Sequence, residues 1–205
     1  HPHPCHFYRC LGGLIGGGWG AKWNEDGMSA TICINDGDTH NAPVEAMESK
    51  YPHIIERHAL REDSGGEGRY RGGLGVIQQR RVLSSTRINA QIERTQDAPW
   101  GLFGGRVGSA NKLELLRADG GHEHYPTGKI LDEELEAGDA YILYSGGGGG
   151  YGNPIERPAE HVAADVRQGY VSVDAAKDVY GVALDPVTFA IDDERTSELR
   201  RELAL

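Results

Sequence analysis

Long apolar runs are missing from this sequence. No stretch approaches the roughly 18 residues needed to span a bilayer, and no basic-then-apolar signal segment opens it. Cysteine is scarce. Cys5, Cys10 and Cys33 are an odd set in 205 residues, which does not describe a disulfide framework and agrees with a reducing compartment. Basic residues are outnumbered, 21 Lys and Arg against 31 Asp and Glu, and the carboxylates are spread along the chain. A nucleic-acid binder needs a basic face to neutralise phosphates, and an anionic membrane surface attracts the same sign, so the balance of −10 argues against both partners. A cytoplasmic protein is expected. An initiating methionine is also missing: the sequence starts at His1 and reads as a fragment or a processed subunit.

Glycine is what the chain has instead, 30 residues, roughly double the usual share of about 7%. The densest patterned run is Asp63-Ser64-Gly65-Gly66-Glu67-Gly68-Arg69-Tyr70-Arg71-Gly72-Gly73-Leu74-Gly75. It is too polar for a core and too patterned for a linker. Glycine permits close backbone approach, and arginine offers planar donors to carboxylate or phosphate. Two readings stay open: a structural loop in which Asp63 pairs with Arg69 or Arg71, or an anion-binding loop. The run is neither a phosphate loop nor a dinucleotide fingerprint, because a strand (Val76 to Leu83) follows it and not a helix.

The opening run His1 to Cys10 carries five potential metal ligands, but Cys5 and Cys10 lack the usual spacing and no second pair follows, so no metal residue is assigned. Leu11 to Gly20 is too glycine-rich for helix or regular strand, and Ala30 to Asn35 reads as a short strand. In Thr39 to Glu48, Asn41 or Thr39 can cap a helix that Pro43 opens, placing Glu45 and Glu48 on one face. With His40 nearby, the two carboxylates suit acid and base work or a divalent cation; equally, they complement the helix dipole. His40, Glu45, Glu48 and Asp63 are the candidate catalytic residues.

Short strands follow at His53 to Leu60, 75 to 83, Arg87 to Arg94, Lys112 to Arg117, Gly128 to Leu131 and Ala140 to Tyr144. The short link Ser84-Ser85-Thr86 predicts a hairpin, and Gly128 to Leu131 is expected to return beside Lys112 to Arg117. A second glycine turn, Ala98 to Gly108, holds Trp100, Phe103 and Arg106. Ser145 and the five glycines Gly146 to Gly150 then separate the last strand from a helical tail. That order of strand, glycine loop and helix can aim backbone N–H groups at an anion, or serve as a flexible linker. Helices are expected from Pro158 to Gln168, from Ser172 to Tyr180 and from Asp192 to Leu203, with Gly169 and Gly181 as stops. The expected fold is α+β, mainly an antiparallel β-sandwich or barrel with glycine-rich loops and a C-terminal helical tail. An irregular lead (1–20), a β-rich domain (21–153) and the tail (154–205) divide it.

Three runs taken together, DSGGEGRYRGGLG from Asp63, PWGLFGG from Pro99 and GGGGGYGNPIERP from Gly146 with its continuation, resemble the C-terminal part of the hydantoinase B family. That family includes the C-terminal half of 5-oxoprolinase and subunits of acetone and acetophenone carboxylases. The likeness runs from about Gly16 and includes Asn41, Pro43, Glu45 and Glu48; His1 to Cys10 inherit no role from it. It implies an enzyme working with a hydantoinase A-type partner, which binds ATP with Mg and phosphorylates a substrate carbonyl oxygen before ring opening or, in the carboxylases, C–C bond formation. A hetero-oligomer, a small-molecule substrate and a divalent metal held outside this segment are implied as well. Donors around a developing negative charge would suit such chemistry, and Arg69, Arg71, Arg106 and the backbone of Gly147, Gly148 and Gly149 are the expected substrate- or phosphate-binding groups. Family members are far longer, so this chain alone is not expected to be a complete catalyst; a non-catalytic assembly module is the remaining alternative.

Overall fold

The computed structural model describes residues 15–32 and 42–204. Helix α1 (Val44–Lys50) leads into strand β1 (His53–Leu60), followed by β2 (Val76–Val82), β3 (Thr86–Gln91), β4 (Lys112–Leu116), β5 (His122–His124), β6 (Lys129–Leu135) and β7 (Ala140–Tyr144). Five of these make an antiparallel sheet in the order β1-β2-β7-β4-β5, and β3 pairs with β6 in a second sheet. Alternation decides which side faces in: along β2, Val76, Gln78, Arg80 and Val82 are buried while the residues between them are half-exposed. The two sheets meet over Val82, Leu113, Leu115, Ile130 and Leu135, with Ile88 and Ala90 of β3 packed against them. This is a sandwich of α+β type, and no closed barrel forms among the described residues.

Two expected pairings are corrected. The hairpin through Ser84-Ser85-Thr86 does not form, because β2 lies between β1 and β7 while β3 crosses to the second sheet to pair with β6. β4 is joined instead by β5, through a turn in which Gly120 adopts φ +94° and Asp119 Oδ1 accepts from Gly121 N–H at 2.9 Å. The 128–131 stretch, expected beside β4, begins β6.

The glycine-rich segments form the most unusual part of the fold. The sheet neighbours β2, β7 and β4 each run into one, so the segments stay adjacent beyond the sheet. Gly146–Gly150 is the central segment. The carbonyls of Gly146 and Gly149 accept from Gly18 and Ala21, both at 2.9 Å, and the N–H groups of Gly147 and Gly150 donate to Ser109 and Arg106 at 3.2 and 3.0 Å. Between them, Gly148 donates to Gly73 O at 2.9 Å and accepts from Gly66 N–H at 2.8 Å. Partners thus recur every third residue around the segment, the period of a polyproline-II-type helix. Packing is backbone to backbone: a Cβ added at Gly147 would stand 1.8 Å from Ser64 O, and one at Gly148 1.9 Å from Trp19 O. The run Gly16–Gly20, expected as an irregular lead, is hydrogen-bonded into this bundle.

The C-terminal part follows its local signals. A 3-10 turn (Pro154–Glu156) leads to α2 (Ala159–Arg167), α3 (Val173–Asp178) and α4 (Asp193–Leu203). Ser172 caps α3 by accepting from Ala175 N–H at 3.1 Å, and Asp192 caps α4 through Arg195 N–H at 2.9 Å. Gly169 and Gly181, at φ +70° and +61°, supply the left-handed stops. Val162, Val166, Val171, Ala176, Tyr180 and Val182 form a core separate from that between the sheets. None of the described helices is long and apolar enough to cross a membrane.

Candidate functional site

The loop from Asp63 to Gly75 is held from within by Ser64. Its Oγ donates to Arg61 O at 2.5 Å and accepts from Gly75 N–H at 2.9 Å, closing the loop at the start of β2. Arg61 in turn reaches Ala110 O at 2.9 Å and Ser145 O at 3.3 Å, clamping the entry of β4 to the exit of β7. Burial holds its guanidinium below the ordinary arginine range.

The two arginines of this loop part company. Arg71 is buried beside Tyr170 and belongs to a four-membered charge network. Its Nε lies 3.4 Å from Asp165 Oδ2, the same oxygen lies 2.8 Å from Arg157 Nη2, and Arg157 grips Asp26 with two bonds of 2.7 Å. Asp26 also accepts the Arg71 backbone N–H at 2.7 Å. Burial works against the Arg157 charge, but its bonds to Asp26 and the charges of Asp26 and Asp165 overcome this and raise its pKa. Arg71 therefore fastens the glycine bundle to α2 and has no guanidinium edge left for a substrate. Arg69, by contrast, is exposed, 3.9 Å from Glu156 and over the ring of Tyr70.

Arg106 emerges nearby. Its carbonyl accepts from Gly150 N–H at 3.0 Å, while Arg69 N–H donates to Gly152 O at 3.2 Å, so both arginines flank the exit of the central segment. The Arg106 side chain is exposed and has no ion pair among the described residues. Gly147, Gly148 and Gly149, the expected anion cradle, are buried at the packed centre of the bundle, where the N–H groups of Gly147 and Gly148 are bonded to Ser109 and Gly73.

Of the expected catalytic residues, Glu45, Glu48 and Asp63 each have surroundings of their own. Glu45 is exposed in the first turn of α1, where it complements the helix dipole. Glu48 Oε1 accepts from Ile55 N–H at 2.7 Å and so anchors α1 to β1. Asp63, at φ +55°, accepts from Ser172 N–H at 2.9 Å and ties the loop to the start of α3. His40 lies outside the described residues, as do Cys5, Cys10 and Cys33. Among the described residues no three His, Cys, Asp or Glu side chains gather as a metal site.

Besides Arg157 and Asp165, sequence reasoning missed further buried polar groups, and two of those in the sheet stand out. Glu114 on β4 accepts from Lys112 and, at 3.1 Å, from Tyr144 Oη, with His122 Nε2 at 3.5 Å. Burial would raise its pKa, but Lys112 and Tyr144 outweigh it and hold Glu114 ionised. The signal was the same-face pair Lys112 and Glu114, two apart on a strand. The second is Arg80, buried on the inner face of β2, whose Nε and Nη1 have no partner among the described residues. Unpaired buried donors are destabilising by about 1–3 kcal/mol. Replacing Arg80 with the similarly long, apolar Met is therefore expected to raise the melting temperature, as thermal denaturation would show; a lower value would mean that the guanidinium has a partner in solution.

Comparisons with known proteins fall on this same framework. The family profile described as Hydantoinase B/oxoprolinase matches residues 4–154. A putative D-/L-hydantoinase B subunit of Pseudomonas sp. (strain NS671) is 31% identical over 188 residues, covering 92% of this chain and 31% of that protein. The caprolactamase beta subunit of Pseudomonas jessenii is 35% identical over 178 residues, covering 82% of this chain and 30% of the relative. Among solved structures, nucleotide-free acetone carboxylase shares the fold with a TM-score of 0.81 at 23% identity, over 92% of this chain and 29% of that one. The chain thus spans about three-tenths of the length of each.

Proposed function

Since the chain belongs to the hydantoinase B/oxoprolinase family, we propose that it is the glycine-bundle portion of the B-type component of an ATP-dependent cyclic amidohydrolase, opening a hydantoin, 5-oxoproline or lactam ring. The observation that carries this is the 31% and 35% identity to a hydantoinase B subunit and a caprolactamase beta subunit. A hydantoinase A-type partner binds ATP with Mg and activates the ring carbonyl oxygen. In this reading a divalent metal, where the reaction uses one, is held by the remainder of the B-type component. What this portion brings to the reaction is positional. The bundle is a platform at whose edge Arg69, in a long, solvent-exposed pair with Glu156, and Arg106 are exposed and able to meet an anionic oxygen of the activated substrate.

The test is ATP-dependent ring opening by the complete assembly. Arg69→Ala and Arg106→Ala are expected to leave the melting temperature unchanged and lower kcat/KM at least tenfold. Full activity in both variants would remove the substrate-binding role and leave an assembly module. ATP turnover that requires bicarbonate would replace the amidohydrolase reading with a ketone carboxylase.

A further inference from the structure

Phe103 breaks two rules at once. Leu102 to Gly105 is a tight turn, closed by the Gly105 N–H on Leu102 O at 3.0 Å, and its central residues, Phe103 and Gly104, have φ of +52° and +95°. Positive φ at both is the pattern of a type I′ turn, which belongs to Asn-Gly, Asp-Gly or Gly-Gly because a large side chain at the first position crowds the backbone. A bulky residue there is an outlier. Burial does not offset it: the side chain is 78% exposed, and its aromatic neighbour is the ring of Tyr151 at 5.1 Å. A local rule broken without a gain in packing points to a functional position.

The neighbours of this turn indicate which function. It is fastened to the exit of the central segment, where Leu102 N–H donates to Gly150 O and Leu102 O accepts from Gly152 N–H, both at 2.9 Å. Gly152 O accepts the Arg69 N–H at 3.2 Å, and Gly150 N–H donates to Arg106 O at 3.0 Å. Backbone bonds to Gly150 and Gly152 thus hold the Phe103 turn together with the two exposed arginines. We propose that Phe103, with Tyr151 beside it, is the specificity wall of the substrate site, taking the hydrocarbon flank of a cyclic amide whose activated oxygen meets Arg69 and Arg106. The substrate class narrows to lactams and to hydantoins with an aryl or alkyl substituent. The flank of 5-oxoproline is a carboxylate, which the negative face of an aromatic ring disfavours. The choice of substrate rests on the amidohydrolase reading, whereas the contribution of the ring to binding is measurable without turnover.

The complete assembly, with ADP in excess to fill the nucleotide site, is titrated with phenylphosphonate and with methylphosphonate, which share an anionic head and differ in the hydrocarbon. Phenylphosphonate is expected to bind at least tenfold more tightly. Phe103→Asn, which supplies a residue the turn prefers, should erase that difference and melt no lower than the parent. Equal affinities in the parent overturn the wall, and so does an advantage that survives Phe103→Asn. A lowered melting temperature would mean that the ring serves the fold, and overturns it too. In ring opening, the preference in kcat/KM for 5-phenylhydantoin over hydantoin should fall at least tenfold in Phe103→Asn. An assembly that opens both rings without preference overturns the wall and leaves the amidohydrolase. One that opens neither, yet keeps the phenylphosphonate advantage, overturns the amidohydrolase and the substrate named here while the wall stands.

Discussion

Gly148→Ala is expected to destabilise the fold severely, and Gly20→Ala, in the same bundle, to leave stability unchanged or slightly raised. At Gly148 a methyl group would lie 1.9 Å from Trp19 O, 2.1 Å from Trp19 C and 2.5 Å from Gly20 N, all of them backbone atoms. No side chain can swing aside. The segments must separate, and with them go the Gly148 bonds to Gly66 and Gly73. A cost above about 4 kcal/mol is expected, a large share of the roughly 5–15 kcal/mol that a domain has in total. At Gly20 the added methyl would find Gly149 O at 3.8 Å, an ordinary contact, and the backbone is not left-handed. There alanine mainly restricts the unfolded chain, a gain of about 0.4–1 kcal/mol. Gly120 falls between: its surroundings are open but its φ is +94°, so alanine costs about 1–2 kcal/mol. Urea denaturation of the three variants ranks them. A Gly148→Ala protein with the parent midpoint would mean that the central segment is not enclosed.

This ranking also explains why the bundle was hard to read in advance. Glycines three apart are written in the sequence, at Gly17 and Gly20, Gly65 and Gly68, Gly72 and Gly75, Gly105 and Gly108, and Gly147 and Gly150. Strand and helix patterns have periods of two and 3.6, so a period of three passes as loop. Where a local signal sufficed, the expectation held: β7 spans Ala140–Tyr144 as foreseen, and Ser172, Asp192, Gly169 and Gly181 bound the tail helices. Pairing across distance did not follow. The three residues between β2 and β3 favour a hairpin locally, yet Ile88 and Ala90 are drawn to cover Leu113, Leu115 and Leu135 instead. For the candidate site, the family likeness pointed to Arg69, Arg71 and Arg106 alike, and nothing local separates the exposed Arg69 and Arg106 from the buried Arg71. Its partner Asp165 lies 94 positions away, and a buried carboxylate looks like any surface one in sequence.

That distant pair carries the second large effect. Asp165→Ala is expected to destabilise the protein by about 3–5 kcal/mol, because Arg71 and Arg157 would remain buried with one carboxylate, Asp26, where they now have two. Asp165→Asn keeps an acceptor for Arg157 and should cost less. The same network sets a response to acid. Burial pushes the Asp26 carboxyl up, but the hydrogen bond and charge of Arg157 and the Arg71 N–H outweigh it, so its folded pKa lies below the ordinary value. Stability from Asp26 is then complete above the unfolded pKa, roughly 3.9, and is lost as pH falls through the folded one. Thermal melts across this acid range, with limited proteolysis after Arg167 and Arg195, read both effects at once. Asp165→Ala should expose these sites at neutral pH, and Asp26→Asn should flatten the acid decline. If Asp165→Ala melts like the parent and its helices resist cleavage, the attachment of α2 to the bundle is apolar, and the four charges are passengers in it.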